Sequence, residues 1–427
     1  MSEDRMMSAV ALRDQIAAGD LSATDLARAC IDRIEAREDE VRAWTWFSPD
    51  HALAQARALD NAFAAGGVVG PLHGLPVGLK DVIDTADAPT ENGCPLDAGR
   101  QPEVDATLVS RLRAVGAVIM GKTVSTELAF MHAGKTRNPH NPAHTPGGSS
   151  SGSAAAVGDG MIPLAVGTQT GGSVIRPASF CGITGFKPTF NAIPRDGVCM
   201  QSHTLDTVGV FGATPADAGL IASILAADDD LAVAGSAMPP RLALLHPPGW
   251  DDATSDLHDA MDRVAKALGD SVVSASLPPA FDDAAGQRAI VNFAEMAHYY
   301  RRYWDKNPEG LGSETQEAMR EGAGYSATDY LAALDCQAAM KAGLQDVFGV
   351  ADILICPSAT GPAPEGLVFT GDSIFNGLWT FCGTPAITIP IETASNGLPI
   401  GVQLVAAVGQ DEALLRAAQA VYDWARG

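Results

Sequence analysis

The sequence lacks the features that direct a chain into or across a membrane. No run approaches the roughly 18 uninterrupted apolar residues that a transmembrane helix needs. The opening residues, MSEDRMMSAV, have neither the basic n-region nor the apolar h-region of a secretory signal. We therefore expect a cytoplasmic protein with no membrane partner.

Basic residues are scarce relative to acidic ones. The 427 residues include 28 Lys and Arg against 51 Asp and Glu, which gives a formal net charge of -23 at pH 7. A strongly acidic surface repels phosphate backbones and anionic lipids. Nucleic acid is therefore a poor partner for this chain.

The seven cysteines show no pattern of a metal site or a disulfide framework. They are scattered along the chain, with no CxxC pair and no neighbouring His tract. In a cytoplasmic protein such cysteines are expected as reduced thiols. We expect neither a metal nor a disulfide.

Apolar residues are abundant, and their pattern predicts an α/β fold. Hydrophobic residues make up 46% of the chain and charged residues 19%, which is enough for a large packed core. Residues 1–65 have helical patterns, and from Pro71 onwards short β-branched runs alternate with helical segments. We expect a large mixed, mainly parallel sheet covered by helices on both faces.

The order of these patterns predicts a single domain over residues 1–427. Residues 70–210 would form the core, 215–345 a helical region, and 350–427 further strands and a last helix. Because strand patterns occur near both ends of the chain, we expect one sheet to which both halves contribute.

The most informative segment is GGSSSGSAAAVGDGMIPLAVGTQTGGSVIRPASFCGITGFKP, residues 147–188. Dense glycine costs conformational entropy unless positive φ or close backbone approach requires it. A flexible linker is a poor alternative, because AAAVG and IPLAVG interrupt the Gly/Ser runs. TQTGGSV places the hydroxyl of Ser173 after two glycines, where backbone N–H groups can converge as in an oxyanion hole.

A hydroxyl nucleophile needs a base, and the sequence offers two kinds. His132, His140 and His144 lie just upstream, but not in the pattern of a Ser-His-Asp triad, and loop positions suit them better. Lys80 is a single cation among apolar neighbours in GLPVGLKDVID. On these residues alone, a surface lysine at a strand end is the more common case.

Together these segments resemble the amidase signature family, whose hallmark is this Gly/Ser block with a lysine about 70 residues before it. Lys80 matches the family lysine in GLPVGLKD, Ser149 the bridging serine of GGSS, and Ser173 the nucleophile of TGGS. GAVIMGKTVSTELA, FCGITGFKPT, LDTVGVFG and GLPIGVQLVA are also similar to family segments. The resemblance leaves the middle of the chain divergent, and we expect substrate preference to lie there.

The resemblance implies a serine amidohydrolase that needs no cofactor. Ser173 would attack an amide carbonyl, and its proton would pass through Ser149, held after a cis peptide bond, to a neutral Lys80. Burial among apolar residues can lower the pKa of a lysine enough for this. The backbone N–H groups expected to hold the oxyanion are those of Thr170, Gly171, Gly172 and Ser173.

Two further positions bear on the substrate. Gln169 stands where most relatives carry Asp. Arg176, three residues after the nucleophile, matches an arginine that meets the substrate carboxylate in malonamidase-type members, so a carboxylated small-molecule amide such as malonamate is expected. A structural salt bridge is the alternative role for Arg176.

Other members of the family act differently, and these functions remain open. One alternative is the hydrolysis of aryl or hydrophobic amides or carbamates. Another is a glutaminase-like subunit of a tRNA-dependent amidotransferase, which needs a partner. Many relatives are homodimers, so we expect a homodimer.

Two short motifs suggest other classes of protein. GAVIMGKT, residues 116–123, fits the P-loop expression, but AVIM resembles a strand where a phosphate-binding loop is needed. GSSSG, residues 148–152, fits the nucleophile motif of an α/β-hydrolase with Ser150 as nucleophile, but NPAHTPG cannot form the strand that must precede it. We regard both matches as coincidental.

Overall fold

The computed structural model describes residues 7–233, 235, 241–269 and 272–426. The first elements are α1 (Ala9–Ala18), α2 (Ala23–Val41), β1 (Trp44–Phe47) and α3 (Pro49–Ala64). The Ser22 side chain accepts a hydrogen bond from Asp25 N at 2.9 Å and caps α2, and α1 ends at Gly19, whose φ is 80°. The predicted N-terminal helices are confirmed, β1 was not predicted, and residues 1–6 lie outside the described part of the chain.

In the described part of the chain, one sheet of 11 strands forms the centre of the molecule. Its other strands are β2 (Pro76–Lys80), β3 (Val118–Thr123), β4 (Leu164–Gln169), β5 (Thr184–Lys187), β6 (Thr207–Gly212), β7 (Leu242–Leu245), β8 (Val272–Ala275), β9 (Ile353–Pro357), β10 (Ala386–Thr393) and β11 (Pro399–Ala406). The strand order is β1-β3-β2-β4-β6-β5-β10-β11-β9-β7-β8. Both halves of the chain contribute strands, as the sequence predicts.

The sheet is mixed, as predicted, but parallel pairings are not in the majority. Among the pairs of strands described, four are parallel and six are antiparallel. Part of the reason lies in loop length: only residues 394–398 join β10 to β11. A connection that short cannot cross over the sheet, so the two strands must run antiparallel.

Helices cover both faces of this sheet. After α3 they are α4 (Thr107–Ala114), α5 (Ser151–Gly158), α6 (Ile175–Cys181), α7 (Pro215–Ala226), α8 (Ser255–Leu268), α9 (Ala284–Tyr299), α10 (Arg301–Lys306), α11 (Ser313–Gly324), α12 (Ala327–Val350), α13 (Ile374–Cys382) and α14 (Asp411–Arg426). Gly212 pairs with Thr184, so it faces the side opposite to Gly185. A Cβ atom on Gly185 would lie 2.5 Å from Ala178 of α6, and one on Gly212 would lie 2.7 Å from Asp217 of α7. Within the described ranges, no helix is long and apolar enough to cross a membrane.

The prediction of a helical region at 215–345 missed two strands. Helices α7 to α12 fill most of it, but β7 and β8 also lie there and extend the sheet beyond β9. Each of these strands has four residues, too few to show a period of two within a window dominated by helical composition.

The middle helices pack against the segment that follows β3. Leu128 and Phe130 form a buried cluster with Met296, Tyr300 and Tyr303. The Tyr300 hydroxyl donates a hydrogen bond to the Leu128 carbonyl at 2.5 Å. This packing places α9 beside the carboxyl ends of β2 and β4, where the candidate site lies.

Candidate active site

Lys80 and Ser149 contact each other in the interior of the protein. Lys80 ends β2, and Ser149 lies in the turn before α5. Lys80 Nζ donates hydrogen bonds to Ser149 Oγ at 2.7 Å and to Thr168 Oγ1 of β4 at 2.8 Å. The Gly148–Ser149 peptide bond is cis, as the resemblance implies. The parallel pairing of β2 with β4 brings these groups together.

Burial controls the charge of Lys80. Its side chain is completely buried. The apolar residues that flank it in sequence are buried as well: Leu75, Val77, Leu79 and Val82. Desolvation lowers the pKa of Lys80 from 10.5 to about 7, and the negative charge of Asp206 partly opposes this shift. The surface position that the residues alone favoured is therefore wrong, and Lys80 can be neutral near pH 7.

Ser173 follows β4 in a turn that leads into α6. Gln169 fixes this turn, because its Oε1 accepts hydrogen bonds from the amides of Val174 at 2.8 Å and Ile175 at 3.0 Å. Its Nε2 donates to Thr380 Oγ1 at 3.0 Å. A side-chain amide can accept and donate at once, which an ionised Asp cannot do. Ser173 lines a cavity, and its hydroxyl forms no hydrogen bond with the other residues described.

The turn before Ser173 presents unused backbone donors. The N–H groups of residues 170–173 form no hydrogen bond with an acceptor in the part of the chain that the structure describes. Glycine is needed at 172, because a Cβ atom there would lie 2.4 Å from Asn376 Oδ1 and 2.8 Å from Arg176 Nη1. The arrangement can direct several donors at one oxygen atom.

Asp206 is a site residue that the sequence interpretation missed. Its Oδ1 accepts a hydrogen bond from Thr170 Oγ1 at 2.6 Å, and its Oδ2 accepts from the amides of Gln201 at 2.7 Å and Ser202 at 3.0 Å. Burial raises the pKa of Asp206 to about 6. The residue therefore fixes the start of the turn and modulates the charge of Lys80. In the sequence, the only indication of its importance was that it lies in LDTVGVFG, one of the segments similar to the family.

A cavity of about 370 Å³ opens beside Ser173. Its walls include the turn at 170–173, the segments 129–131 and 368–371, Ser373, and side chains of α9. Arg176 and Arg288 also line it. Arg288 was not predicted as a site residue, because nothing in its local sequence distinguishes it from a surface arginine.

Arg176 is buried, and protein groups occupy most of its donors. Its Nε donates to the Thr370 carbonyl at 2.7 Å, and its Nη2 donates to the Gly148 carbonyl at 2.7 Å and to Thr370 Oγ1 at 3.3 Å. Burial lowers the pKa of Arg176 to about 10, against the opposing charge of Asp372. Within the described ranges these acceptors are carbonyl and hydroxyl oxygens, and the salt bridge considered for this residue is not found.

Comparison with known protein families gives a direct result. The family model described as Amidase matches residues 25–415, a range that contains every residue of the site. The chain belongs to the amidase signature family. It is accordingly an amide-hydrolysing enzyme.

Curated relatives of this amidase cover it almost completely. One is the A subunit of the glutamyl-tRNA(Gln) amidotransferase from Chloroflexus aurantiacus, which is 32% identical over 98% of this chain and 97% of that protein. The protein of the same name from Synechococcus sp. is also 32% identical, over 95% of this chain and 94% of the relative.

Solved structures agree with the amidase fold. One similar chain comes from a vestigial protein complex described as revealing the origins of an s-triazine catabolic enzyme, with a TM-score of 0.90, 28% identity and 98% of each chain covered. Another is the native peptide amidase from Stenotrophomonas maltophilia, with a TM-score of 0.85, 28% identity, and 100% of this chain and 98% of that chain covered.

In the described part of the chain, none of the three histidines upstream of the Gly/Ser segment forms a hydrogen bond with Lys80, Ser149 or Ser173. His132 Nδ1 lies 3.2 Å from Glu314 Oε2. The rings of His140 and His144 contact the backbone carbonyls of residues 181 and 363, each at 2.8 Å. The structure places them in loops, as the sequence interpretation preferred.

The two coincidental motifs also have structural roles in this amidase. Most of GAVIMGKT forms β3, where Lys122 Nζ donates to Thr90 Oγ1 at 2.6 Å and to the Ile83 carbonyl. In GSSSG, Ser150 Oγ is buried and exchanges hydrogen bonds with the backbone of Thr168, at 3.1 and 3.2 Å. Neither segment has the strand–loop–helix geometry that its motif requires.

Proposed function

We propose that this amidase hydrolyses the carbon–nitrogen bond of a small-molecule amide, giving a carboxylate and ammonia or an amine, through an acyl-enzyme on Ser173. The main support is the 2.7 Å hydrogen bond between Lys80 Nζ and Ser149 Oγ. It joins a buried lysine of lowered pKa to a hydroxyl beside the turn that presents Ser173.

The first step is transfer of the Ser173 proton. Neither Ser149 Oγ nor Thr168 Oγ1 donates to another residue in the described part of the chain. The lone pair of neutral Lys80 can therefore take the Ser149 proton while Ser149 Oγ takes the proton of Ser173. The oxygen of Ser173 then bonds to the substrate carbonyl carbon, and one electron pair of the C=O bond moves to the oxygen.

The oxyanion that results needs hydrogen-bond donors. The unused amides of Thr170, Gly171, Gly172 and Ser173 are our candidates, and the loss of one such donor costs roughly 3 to 4 kcal/mol in transition-state stabilisation. Thr170 is held through its hydroxyl by Asp206 at 2.6 Å, which keeps this turn in place before substrate binds.

Collapse of the tetrahedral intermediate completes acylation. The C–N bond breaks, and the proton on Lys80 returns through Ser149 to the departing nitrogen, which leaves as ammonia or an amine. A water molecule then gives a proton to the same relay and attacks the acyl carbon, which releases the carboxylate and regenerates the Ser173 hydroxyl.

Arg176 remains a candidate for binding a substrate carboxylate. It lines the cavity, but its Nε and Nη2 already bind protein oxygens, so Nη1 is the part of the guanidinium left for a ligand. A carboxylated amide such as malonamate is the substrate we propose, and neutral aryl or aliphatic amides are the alternatives.

A second candidate function is that of a glutaminase subunit in a tRNA-dependent amidotransferase. It is favoured by the relatives named as the A subunit of glutamyl-tRNA(Gln) amidotransferase, which match over almost the whole chain. Both functions would use the same relay to release ammonia from a carboxamide. They differ in the substrate and in the need for partner subunits.

Homodimer formation and a cytoplasmic location stay predictions.

The test is product release by the purified protein from malonamate, malonamide, an aliphatic amide and glutamine, with an anilide followed by its arylamine. Ser173→Ala and Lys80→Met should lower turnover by roughly a thousandfold or more. The exposed residues Ser110 and Lys266 provide matched controls, and Ser110→Ala and Lys266→Met should behave as wild type.

Each outcome of this test has a distinct meaning. Wild-type turnover by Ser173→Ala would disprove the proposed nucleophile. Release of ammonia from glutamine alone, and only with a partner subunit present, would favour the amidotransferase function. Inactivity of the wild-type chain on every amide would reject the proposal that this chain alone is an amidase.

A further inference from the structure

Arg288 places a second guanidinium in the cavity. It lies on α9 and lines the same cavity as Ser173. A Cβ atom on Gly171 would lie 3.2 Å from Arg288 Nη1, and one on Gly377 would lie 2.5 Å from its Nε. The guanidinium thus lies between the nucleophile turn and α13, where glycines leave room for it.

Among the residues that the structure describes, no protein group neutralises Arg288 at close range. Its Nε is buried and has no hydrogen-bond partner, and no carboxylate in the described ranges forms an ion pair with it. Burial lowers the pKa of Arg288, and the charge of Asp372 opposes this shift from a distance. Asp372 is exposed on its loop and accepts a hydrogen bond from the amide of Ile374 at 2.9 Å.

The cavity around Ser173 is therefore locally positive in a protein whose formal net charge is -23. Arg176 and Arg288 both line it, and the charge of Arg288 helps to lower the pKa of Arg176. Glu314 is the acidic residue that lines this cavity among the residues described, and it pairs with His132 at 3.2 Å and Ser313 at 3.0 Å. A buried, unpaired cation is costly unless a ligand of opposite charge completes it.

We propose that Arg288 is a substrate-binding residue that receives a carboxylate group of the amide substrate. This inference rests on the proposed amidase function and deepens it by naming the residue that binds the carboxylate of an anionic substrate. A guanidinium binds a carboxylate through two parallel N–H···O bonds. Arg176 has only Nη1 left for such a contact, whereas the Nε of Arg288 has no protein partner in the described ranges. The bound carboxylate would lie beside Gly171, next to the nucleophile.

Matched substrate pairs test the inference on the intact protein. Malonamate and malonamide differ in one carboxylate, as do succinamate and succinamide. Arg288→Gln should raise KM for the acidic member roughly 10- to 100-fold, as expected for a lost hydrogen bond between charged groups. The loss of kcat/KM on the neutral member should be at least about tenfold smaller than the loss on the acidic member. Arg288→Lys should recover part of the affinity, because it keeps the charge but loses the planar fork.

A second arm measures binding without turnover. Malonate, succinate and glutarate are titrated by calorimetry into wild type, Arg288→Gln and the control Arg263→Gln, whose arginine is exposed and paired with Glu392 at 2.9 Å. At least one dicarboxylate should bind wild type and Arg263→Gln equally, and bind Arg288→Gln at least about tenfold more weakly. If wild type hydrolyses no amide, the proposed function fails while this titration still decides the role of Arg288.

Two results would overturn the inference. One comes from the titration, if every dicarboxylate binds Arg288→Gln as tightly as wild type or if none binds wild type. The other is an equal loss of activity by Arg288→Gln on neutral and acidic amides, together with a lower midpoint of thermal unfolding. That result would make Arg288 a structural residue. Unfolding at or above the wild-type temperature is expected instead, because the substitution removes an unpaired buried charge.

Discussion

The pH dependence of amide hydrolysis tests the central feature of the site, the neutral Lys80. The relay needs its free lone pair, so activity should follow the fraction of Lys80 that is unprotonated. Because burial lowers the pKa of Lys80 from 10.5 to about 7, that fraction is roughly 10% at pH 6 and roughly 90% at pH 8. We expect kcat/KM to rise about tenfold per pH unit below pH 7 and to level off near pH 8.

The pH at which activity levels off distinguishes Lys80 from a lysine with an ordinary pKa. A Lys80 that kept its pKa of 10.5 would be only about 0.3% neutral at pH 8, and activity would continue to rise to about pH 10. The lowered pKa corresponds to about 5 kcal/mol against the charged form, at 1.36 kcal/mol per pH unit. Desolvation supplies it, because the side chain is completely buried.

The assay is ammonia release from malonamide, which carries no titrating group in this range, at constant ionic strength from pH 5 to pH 10. Protein stability at each pH is checked by recovery of activity on return to pH 8. An activity that keeps rising between pH 8 and pH 10 would refute the neutral-lysine relay. A profile unchanged in Lys80→Met would show that another group titrates.

Three further substitutions have expected outcomes. Lys80→Met should stabilise the fold most below pH 7, where wild type must either bury a charged lysine or lose its proton, and the difference in stability should shrink towards pH 10.5. The expected gain in the free energy of unfolding is at most about 5 kcal/mol, less about 1 kcal/mol for each of the two hydrogen bonds that Lys80 makes. Urea unfolding at several pH values measures it. Asp206→Asn removes the charge that favours protonated Lys80, so the acidic limb of the pH–rate profile should move to lower pH, and a shift to higher pH would contradict this coupling. Gln169→Leu leaves two backbone amides at the start of α6 without an acceptor, so the free energy of unfolding in urea should fall by about 2 to 4 kcal/mol. A fall of less than about 1 kcal/mol would mean that water replaces the side chain.

Arg176 and Arg288 should respond differently to substitution. Arg176→Ala removes the donor to the Gly148 carbonyl, directly before Ser149, so kcat should fall for neutral and acidic amides alike. An effect confined to KM for acidic amides would instead give Arg176 the carboxylate-binding role that the sequence suggests. Steady-state kinetics with malonamate and malonamide separate the two cases.

The parts of the site that could be predicted lie in local sequence patterns. Lys80, Ser149 and Ser173 each sit in a distinctive short segment, and two of them are in contact. The turn geometry followed from the glycines around Ser173, since close packing at Gly172 excludes a side chain. The α/β fold and the single sheet followed from the alternation of strand and helix patterns.

The parts that could not be predicted depend on contacts between distant segments. Asp206 reaches Thr170 from 36 positions further along the chain, and an Asp before a strand is too common to be informative. Arg288 comes from α9, whose sequence says nothing about which loop it will contact. The four-residue strands β7 and β8 were missed because their pairing with each other and with β9 stabilises them.

Burial alone does not make a lysine a base, as a comparison within this chain shows. Burial lowers the pKa of Lys187 to about 8, close to that of Lys80. Lys187 Nζ, however, donates to two backbone carbonyl oxygens, at 3.0 and 2.5 Å. A carbonyl has no proton to return, so this lysine can only act as a donor there. The partners of Lys80 are the hydroxyls of Ser149 and Thr168, which accept a hydrogen bond and can also give up a proton. The proton relay therefore depends on the chemical type of the groups that surround the buried amine, and Lys80 is where the fold supplies hydroxyls beside a nucleophile.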